Sequence, residues 1–427
     1  MRKLFRAMKK IERSKAQKEK KRIENQKDYT YDKTYTYQHF IEKIPDCMKN
    51  VGWKASVQNY RINGITKTYN DYLSMKERNL PRSVSDKNMD ISERGKSRNI
   101  TPIHVKDRMI QKVMCDYALV PILRTKLIYD NGASLSGKGV SFSRNRMTYH
   151  LIKAIKEYGT DFYVLSFDFK GFFDSVPHKT CRMMLERYIE DKNIIDVTME
   201  MIKQPHLIKI LKIKDKQLQS EELKKLNNDE YCGICLGSQV SQIMALIVAN
   251  DLDHYIKDFC RRKYYVRYMD DGIILGKTKE ELQELLKGMN EVCDFLGLHF
   301  NHKKTHITKI HKGFKFLQVR YWVTDSGKIV KKLARPGITR MRKKLHKFKK
   351  KVDNGTMTLD NVYDSMQSWL AHSKVANSHN TVKNMMKLYR ELYGGYRMSK
   401  GWKKKNRRDK NVLQVDKWAK YRWCCDI

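Results

Sequence analysis

The sequence YYVRYMDDGIIL at residues 264–275 places two adjacent acids between two short apolar and aromatic runs. These runs predict a strand at residues 264–269 that continues at 273–275, with Asp270 and Asp271 at the hairpin turn between the two parts. An Asp-Gly pair favours hairpin turns in general, so the two acids alone fit ordinary turn chemistry. Their interpretation depends on the acids found elsewhere in the chain.

A third acid, Asp168, ends another aromatic strand, which is predicted from DFYVLSFDF at residues 161–169. Two strands placed side by side would bring Asp168 to the acids of the hairpin. Because buried carboxylates need a compensating charge and Mg²⁺ prefers oxygen ligands, the three acids predict a magnesium site. Two such ions about 3.5–4 Å apart would hold the attacking and leaving oxygens of a phosphoryl transfer.

The charge of the chain indicates a polyanionic partner. Its 427 residues include 88 Lys or Arg and 47 Asp or Glu, which gives a formal net charge of +41. Such an excess repels itself in the compact state unless a polyanion neutralises it, and nucleic acid is the first candidate. Because 41% of the residues are hydrophobic, the chain can also bury cores, which excludes disorder throughout.

The sequence does not indicate a membrane or secreted protein. The longest apolar run, IMALIVA at residues 243–249, is far shorter than the roughly 18–20 residues that span a bilayer. The basic N-terminus is followed by no apolar segment with a small-residue cleavage site, which argues against a signal peptide. Nine cysteines without a repeating frame favour reduced thiols. We therefore predict a cytoplasmic protein without a membrane partner.

Six motifs, in order, resemble those of reverse transcriptases of the bacterial group II intron-like branch. YMDD at residues 268–271 resembles the family's YxDD box, and FDFKGFFD at 167–174 resembles its first palm motif. The other motifs are GKSR at residues 95–98 with Asp107, Arg108 and Gln111, GICLGSQVSQ at 233–242, LGLHFN at 296–301 with KKT at 303–305, and GFKFL at 313–317. The resemblance covers about residues 90 to 390. It implies an RNA-directed DNA polymerase that uses dNTPs and two Mg²⁺ ions.

The resemblance also assigns the metal site. The implied catalytic acids are Asp168, Asp270 and Asp271, and the implied metal site contains the same three acids together with Phe169. By this assignment Asp168 and Asp270 hold the ions and Asp271 assists. Arg267, just before the YxDD box, is expected to be structural.

A nucleotide site is implied beside the acids. Its expected residues are Lys96, Arg98, Phe173, Leu236 and Gly237. Lys96 and Arg98 would contact the triphosphate, and the ring of Phe173 would act as a steric gate against a ribose 2′-OH. Two alternatives stay open: Phe173 is plain core, or Lys96 and Arg98 contact only template phosphate.

One departure from the family's pattern indicates which group of reverse transcriptases the chain resembles. Leu236 stands where many relatives have Gln, and Gln239 and Gln242 stand where they have Pro. This pattern resembles the polymerases of diversity-generating retroelements and the related unknown-group and abortive-infection enzymes of antiphage defence. Loss of an amide near the nascent base pair suggests reduced base discrimination.

Basic segments at both ends and in the predicted thumb indicate nucleic-acid contacts. Lysine binds phosphate without reading sequence, whereas Trp stacks on unpaired bases. The predicted nucleic-acid contacts are Lys303, Lys304, Arg342, Lys343, Trp402 and Trp418. The expected partners are a structured noncoding RNA as template, its cDNA product and an accessory protein.

The predicted fold is α+β, a right-hand polymerase with fingers, a palm whose sheet is RNA-recognition-like, and a helical thumb. Helices are predicted at residues 106–119, 239–256, 279–296, 338–352 and 365–388, and a loop at 81–95. The predicted divisions are a basic arm (1–28), an N-terminal extension with fingers (29–160), the palm (161–325), the thumb (326–395) and a basic Trp-containing tail (396–427).

The predicted function is synthesis of cDNA on a dedicated structured noncoding RNA in antiphage defence. The first alternative is error-prone cDNA synthesis for targeted mutagenesis by a diversity-generating retroelement. The second is a catalytically silent RNA-binding scaffold, which requires loss of a metal-binding acid, whereas all three acids are present. A template-independent terminal transferase also stays open.

Overall fold

In a computed structural model of the chain, the described residues are 27–49, 51–80, 89–93, 96–100 and 103–397. Within 89–93 and 96–100, side chains are described only at Ile91 and Ile100. The described residues form two compact units that divide between Lys309 and Ile310. The five divisions drawn from the sequence stay a prediction.

Short helices and a two-stranded hairpin precede the central sheet of the first unit. The helices are α1 (Tyr31–Thr34), α2 (Tyr37–Met48), α3 (Ala55–Ile62), α4 (Gly64–Lys76), α5 (Val105–Met114), a π-helical turn (Cys115–Leu119), α6 (Val120–Arg124) and α7 (Val140–Tyr158). The hairpin consists of β1 (Met89–Glu93) and β2 (Lys96–Ile100), which pair antiparallel. The loop prediction for 81–95 is therefore wrong at 89–93. The sequence MDISE contains only two apolar residues, too few for a clear strand pattern, and the pairing depends on main-chain hydrogen bonds.

The central sheet is antiparallel and has the strand order β4-β5-β3-β6. Its strands are β3 (Tyr163–Asp168), β4 (Tyr265–Tyr268), β5 (Asp271–Gly276) and β6 (His306–Lys309). The predicted strands at 161–169, 264–269 and 273–275 are confirmed, whereas β6 was not predicted. Its pattern of half-buried and exposed residues lacks the apolar run that marks β3.

Helices connect these strands. They are α8 (Phe172–Ser175), α9 (His178–Tyr188), α10 (Lys192–Ile210), α11 (Lys216–Asn227), α12 (Gln239–Val248), α13 (Asn250–His254), a π-helical turn (Tyr255–Phe259) and α14 (Lys279–Leu296). The predicted helices at 106–119 and 279–296 are confirmed, and α14 begins with a capping box between Thr278 and Glu281. The single helix predicted at 239–256 is interrupted at Ala249. There the buried amide of Asn250 donates to the carbonyl of Lys126 and to the hydroxyl of Tyr188, each at 3.2 Å.

One continuous core supports the first unit. Leu165 and Phe167 of β3 pack with Tyr265, Ile274 and the apolar helix α12. Because β3 and β5 are buried along nearly their whole length, the acids at their ends are held by a rigid sheet.

The second unit combines a three-stranded sheet with three helices. Its elements are a 3₁₀ turn (Ile310–Lys312), β7 (Phe314–Phe316), β8 (Val319–Val323), β9 (Ile329–Leu333), α15 (Arg335–Asp353), α16 (Leu359–Ser373) and α17 (His379–Tyr393). The apolar stripe predicted on 338–352 is confirmed, since Met341 and Leu345 are buried against Val362 and Met385. The segment predicted as helical at 365–388 is divided between α16 and α17.

Among the helices that the structure describes, none is both long and apolar enough to cross a lipid bilayer.

Candidate active site

Strand pairing brings the acids of the two palm motifs together. Asp168 is the last residue of β3 and lies directly opposite Asp271, the first residue of β5. Opposite residues of an antiparallel pair have Cα atoms about 4.5–5.5 Å apart. Because Asp271 is the first residue of β5, Asp270 is the only one of the two adjacent acids that lies in the turn. The prediction that both acids occupy the turn is wrong by one residue.

Gly272 follows the acids for a reason other than turn formation. A Cβ atom at this position would lie 2.1 Å from the Cζ atom of Phe167, which is opposite in the ladder. Glycine thus lets the aromatic core press against β5 directly behind the acids. The turn itself places Met269, a non-glycine residue, at a φ of +54°, a conformation that costs about 1–3 kcal/mol and needs support from its surroundings.

A fully buried ion pair supplies that support. Arg267 donates from Nη2 to Asp253 Oδ2 at 2.6 Å, and neither side chain is exposed. Its Nη1 donates to the carbonyl oxygen of Met269 at 2.9 Å. Burial alone would lower the pKa of Arg267, but the Asp253 carboxylate raises it. The expectation that Arg267 is structural is confirmed, and Asp253, which sequence reasoning missed, is its partner.

A basic residue contacts the first acid. Lys304 Nζ lies 2.6 Å from Oδ1 and 2.7 Å from Oδ2 of Asp168. The segment that carries it is tied to β3, because the main-chain N–H of Asn301 donates to the carbonyl of Asp168 at 2.7 Å. The structure shows Lys304 on the acid, and its prediction as a nucleic-acid contact stays a prediction. Lys303 is exposed beside it.

The acids repel one another, as carboxylates at a cation site do. Burial, together with the negative charges of Asp270 and Asp168, raises the pKa of Asp271 to about 7, although the charge of Lys304 acts in the opposite direction. Within the described residues, no three His, Cys, Asp or Glu side chains are already gathered as metal ligands. The donor set nevertheless fits a hard divalent cation, since carboxylate oxygens with uncompensated charge are what such an ion prefers. Phe169 could contribute only its main-chain carbonyl; its N–H donates to the carbonyl of Asp270 at 3.2 Å.

This pKa shift predicts how the stability of the metal-free protein depends on pH. The folded state keeps a proton on Asp271 up to about pH 7, whereas the unfolded chain loses it near 3.8. The stabilising contribution is therefore fully present below the lower value and is lost as the pH rises through the upper one. We expect the free energy of unfolding to fall by at most about 4 kcal/mol over this window.

Urea unfolding in chelator, at about pH 5 and about pH 8, measures this difference. Asp271→Asn should remove most of it, whereas Asp161→Asn, which changes an exposed carboxylate just before β3, should not. An unchanged pH dependence in Asp271→Asn would show that this carboxyl is not the group that titrates.

The loop before α12 contacts residues of two other sequence motifs. Ser238 caps the helix by accepting from the N–H of Ser241 at 3.2 Å, and its hydroxyl donates to Gln111 Oε1 at 2.9 Å. The N–H of Ile234 donates to the carbonyl of Phe173 at 2.7 Å. The loop thus joins the residues of the fingers motif and of the first palm motif.

A reverse transcriptase (RNA-dependent DNA polymerase) family model matches residues 85–321, more than half of the chain. The chain belongs to the reverse transcriptase family. The matched reverse transcriptase domain contains the hairpin β1–β2, the whole central sheet and all three acids. Domains of this family use divalent metal ions and dNTPs.

The reverse transcriptase domain has relatives of low identity. The chain is 22% identical over 269 residues to the putative COX1/OXI3 intron 1 protein of Saccharomyces cerevisiae, in a match that covers 50% of this chain and 29% of that protein. It is also similar to an apo telomerase from Candida tropicalis truncated from its C-terminal domain (TM-score 0.39, 16% identity, 63% of this chain and 60% of that one). A telomerase from Candida albicans in complex with a TWJ fragment of telomeric RNA gives a TM-score of 0.40 at 13% identity, with 66% and 55% covered. The chain thus spans less than a third of the yeast protein.

Within the reverse transcriptase domain, the structure describes the side chains or backbone of three of the five residues predicted for the nucleotide site, and only the backbone of the other two. Phe173 and Leu236 are half-buried, and Gly237 is exposed with a φ of +107°. The side chain of Phe173 packs against the core and is also partly exposed, so its role as a steric gate stays a prediction. Lys96 and Arg98 belong to β2, but their side chains lie outside the described residues.

The remaining nucleic-acid predictions lie in the second unit or beyond the described residues. Arg342 and Lys343 are exposed on α15. Trp402 and Trp418 lie outside the described residues, as do the predicted tail from residue 398 and the arm up to residue 26.

Proposed function

We propose that the chain is a right-hand RNA-directed DNA polymerase that copies a dedicated structured noncoding RNA into cDNA. The observation that carries the proposal is the register of the central sheet, which sets Asp168 opposite Asp271 beside the Asp270 turn. Membership of the reverse transcriptase family supplies the reaction type.

The acids would hold two Mg²⁺ ions, with Phe169 contributing through its main chain, and the ions would neutralise charge on the transferred phosphoryl group and polarise the primer hydroxyl. The chain's own contribution is positioning. The buried Arg267–Asp253 pair fixes the turn that carries Asp270, and the pairing of β3 with β5 fixes Asp168 against Asp271. Lys304 gives Asp168 a counter-charge that must move aside or share the carboxylate when a metal ion binds.

Phe173 would select deoxynucleotides, because a ring at this position would collide with a ribose 2′-OH. Its half-buried side chain and its main-chain bond to the central loop support the role. We expect Phe173→Ala to raise the ratio of rNTP to dNTP incorporation about 10–100-fold, a typical gain when a pocket loses one shape constraint. Single-nucleotide extension with matched rNTP and dNTP measures the ratio.

Phe173→Tyr, which keeps the ring, is the control and should retain discrimination. If Phe173→Ala selects against rNTPs as strongly as the native protein does, Phe173 is not the gate.

We propose antiphage defence as the biological role, with the noncoding RNA held by the basic segments of the chain. The net charge of +41 supports an extended polyanionic partner such as a structured RNA. The experiment is to purify the protein from its native locus and sequence the nucleic acid that accompanies it, in native form and with Asp270→Ala and Asp271→Ala. One RNA should accompany all forms, and its complementary DNA should appear only with intact acids. The same RNA without such DNA would make the protein an RNA-binding scaffold.

Retroelement-directed mutagenesis is the second candidate, and Leu236 is the observation that favours it. An apolar, half-buried side chain here offers no hydrogen bond to a nascent base pair. We expect Leu236→Gln to lower the misincorporation frequency about tenfold, as one gained hydrogen bond would allow. Sequencing of products made on a heteropolymeric RNA measures it, with Leu236→Met as control. Ordinary fidelity in the native protein would remove the support for this candidate.

A further inference from the structure

A basic pocket lies at the edge strand β4, where α7 packs against it. Its cavity has a volume of about 350 Å³. The charged and titratable side chains that line it are Asp130, Arg146, His150, Lys153, Lys257 and Lys263. Lys263 precedes β4 whereas the Asp270 turn follows it, so the pocket adjoins the opposite end of the strand from the candidate active site.

The cations of the pocket outnumber its single carboxylate. Asp130 accepts from Arg146 Nε at 2.5 Å and from Lys257 Nζ at 2.8 Å. Burial would raise the pKa of Asp130, but His150, Arg146 and Lys257 together hold it well below its usual value. The carboxylate thus stays ionised and fixes two cations in place, and the lining keeps an excess of positive charge.

Two lysines extend this charge to the mouth of the pocket. Lys153 is exposed, and its Nζ lies 5.7 Å from the centroid of the Tyr149 ring. Lys263 Nζ is 3.2 Å from both carboxylate oxygens of Glu157, at the surface. Neither lysine is neutralised by a short buried ion pair. They are therefore available to an anionic group of a ligand.

A buried histidine adds a neutral polar atom to the lining. The His150 side chain is 3% exposed, and its Nε2 lies 3.2 Å from Asp130 Oδ2. Both ring nitrogens are buried, and neither makes a hydrogen bond of good geometry within the part of the chain that the structure describes. The Asp130 carboxylate beside Nε2 can only accept, which favours the neutral ring with its proton on Nε2 and leaves Nδ1 as an acceptor. Such an atom calls for a donor.

We propose that this pocket binds a ribose phosphate, with the phosphate on Lys153 and Lys263 and a ribose hydroxyl donating to His150 Nδ1. The ligand has two sources, an unpaired nucleotide of an RNA strand or a free ribonucleotide. The choice of RNA rests on the proposed function, in which this chain carries a structured RNA. The pocket then serves as an RNA contact separate from the template–primer site.

The pocket also has a main-chain connection to the strand that leads to the acids. The N–H of Arg267 donates to the carbonyl of Asp130 at 3.2 Å, and the N–H of Gly132 donates to the carbonyl of Arg267 at 2.9 Å. Asp130 thus binds the pocket cations through its side chain and pairs with β4 through its main chain. A bound RNA would therefore contact a rigid part of the sheet.

The test compares Lys153→Ala/Lys263→Ala with Lys156→Ala/Lys179→Ala, a control pair of exposed lysines outside the pocket lining. Full-length protein in chelator and without dNTPs is titrated with a fluorescent oligouridine RNA and with an oligodeoxyuridine of equal length. We expect the pocket variant to bind the RNA about tenfold more weakly than the control, and its salt slope to fall by about 0.7, as the loss of one phosphate contact requires. The loss should be smaller on the DNA probe.

Calorimetry with uridine 5′-monophosphate distinguishes the two sources of the ligand. Binding of the nucleotide by the native protein but not by the pocket variant would assign the pocket to a free ribonucleotide. Equal RNA and nucleotide binding by pocket and control variants would overturn the proposal, and equal losses on RNA and DNA would overturn the hydroxyl contact. Because these readouts need no polymerisation, failure of primer extension would count against the proposed function and leave this test intact.

Discussion

Asp168→Asn is expected to reduce primer extension on an RNA template at least about 10³-fold, which corresponds to about 4 kcal/mol of transition-state stabilisation. The amide keeps the shape of Asp168 but removes the charge that would hold a divalent ion opposite Asp271. Single-turnover extension at saturating template–primer measures the rate of the chemical step. Asp270→Asn should have an effect of similar size.

The matched control is Asp161→Asn, which removes an exposed carboxylate next to the other end of β3 and should leave the rate unchanged. Affinity for the template–primer duplex should also stay within about twofold in Asp168→Asn. The substitution removes only the partly exposed ion pair between Lys304 and Asp168, and such pairs contribute little free energy. A near-native rate in Asp168→Asn would show that the paired acids do not hold the catalytic metal.

Arg267→Met is expected to lower the free energy of unfolding by about 3–5 kcal/mol, because it leaves the Asp253 carboxylate buried without a counter-charge. The native pair is fully buried at 2.6 Å, and Tyr265 donates its hydroxyl to the same Asp253 carboxylate at 2.6 Å. Urea unfolding in chelator, monitored by circular dichroism, measures the change.

Two further variants separate the charge effect from lost packing. In Arg267→Met/Asp253→Leu no ion is left buried, so most of the lost stability should return. Lys349→Met, which removes an exposed ion pair with Asp353 on α15, should cost less than about 1 kcal/mol. If Arg267→Met costs no more than Lys349→Met, the buried pair does not support the turn as described.

The parts of the fold that the sequence predicted well are those whose burial leaves a periodic signal. β3 and α14 have strong apolar patterns, and their boundaries follow closely from them. β1 and β6 were not predicted, since a polar hairpin and a partly exposed edge strand are stabilised by main-chain pairing, which residue types do not reveal.

In the candidate site, too, a sequence pattern marks some residues, whereas other contacts arise only from the fold. Asp168, Asp270 and Asp271 could be found because each adjoins a buried strand and because the order of motifs resembles a known family. The contact between Lys304 and Asp168 joins residues 136 positions apart, and the Arg267–Asp253 pair joins a strand to a helix. The contact of Lys304 with Asp168 could not be predicted, because no local pattern marks a lysine that folds back onto an acid.

The most direct test of the central claim is to sequence the DNA that the purified protein makes on a defined heteropolymeric RNA with dNTPs and Mg²⁺. The account predicts DNA complementary to the RNA from the native protein and from Asp161→Asn, and none above background from Asp168→Asn. DNA whose sequence does not follow the template, or the same product from Asp168→Asn, would contradict it.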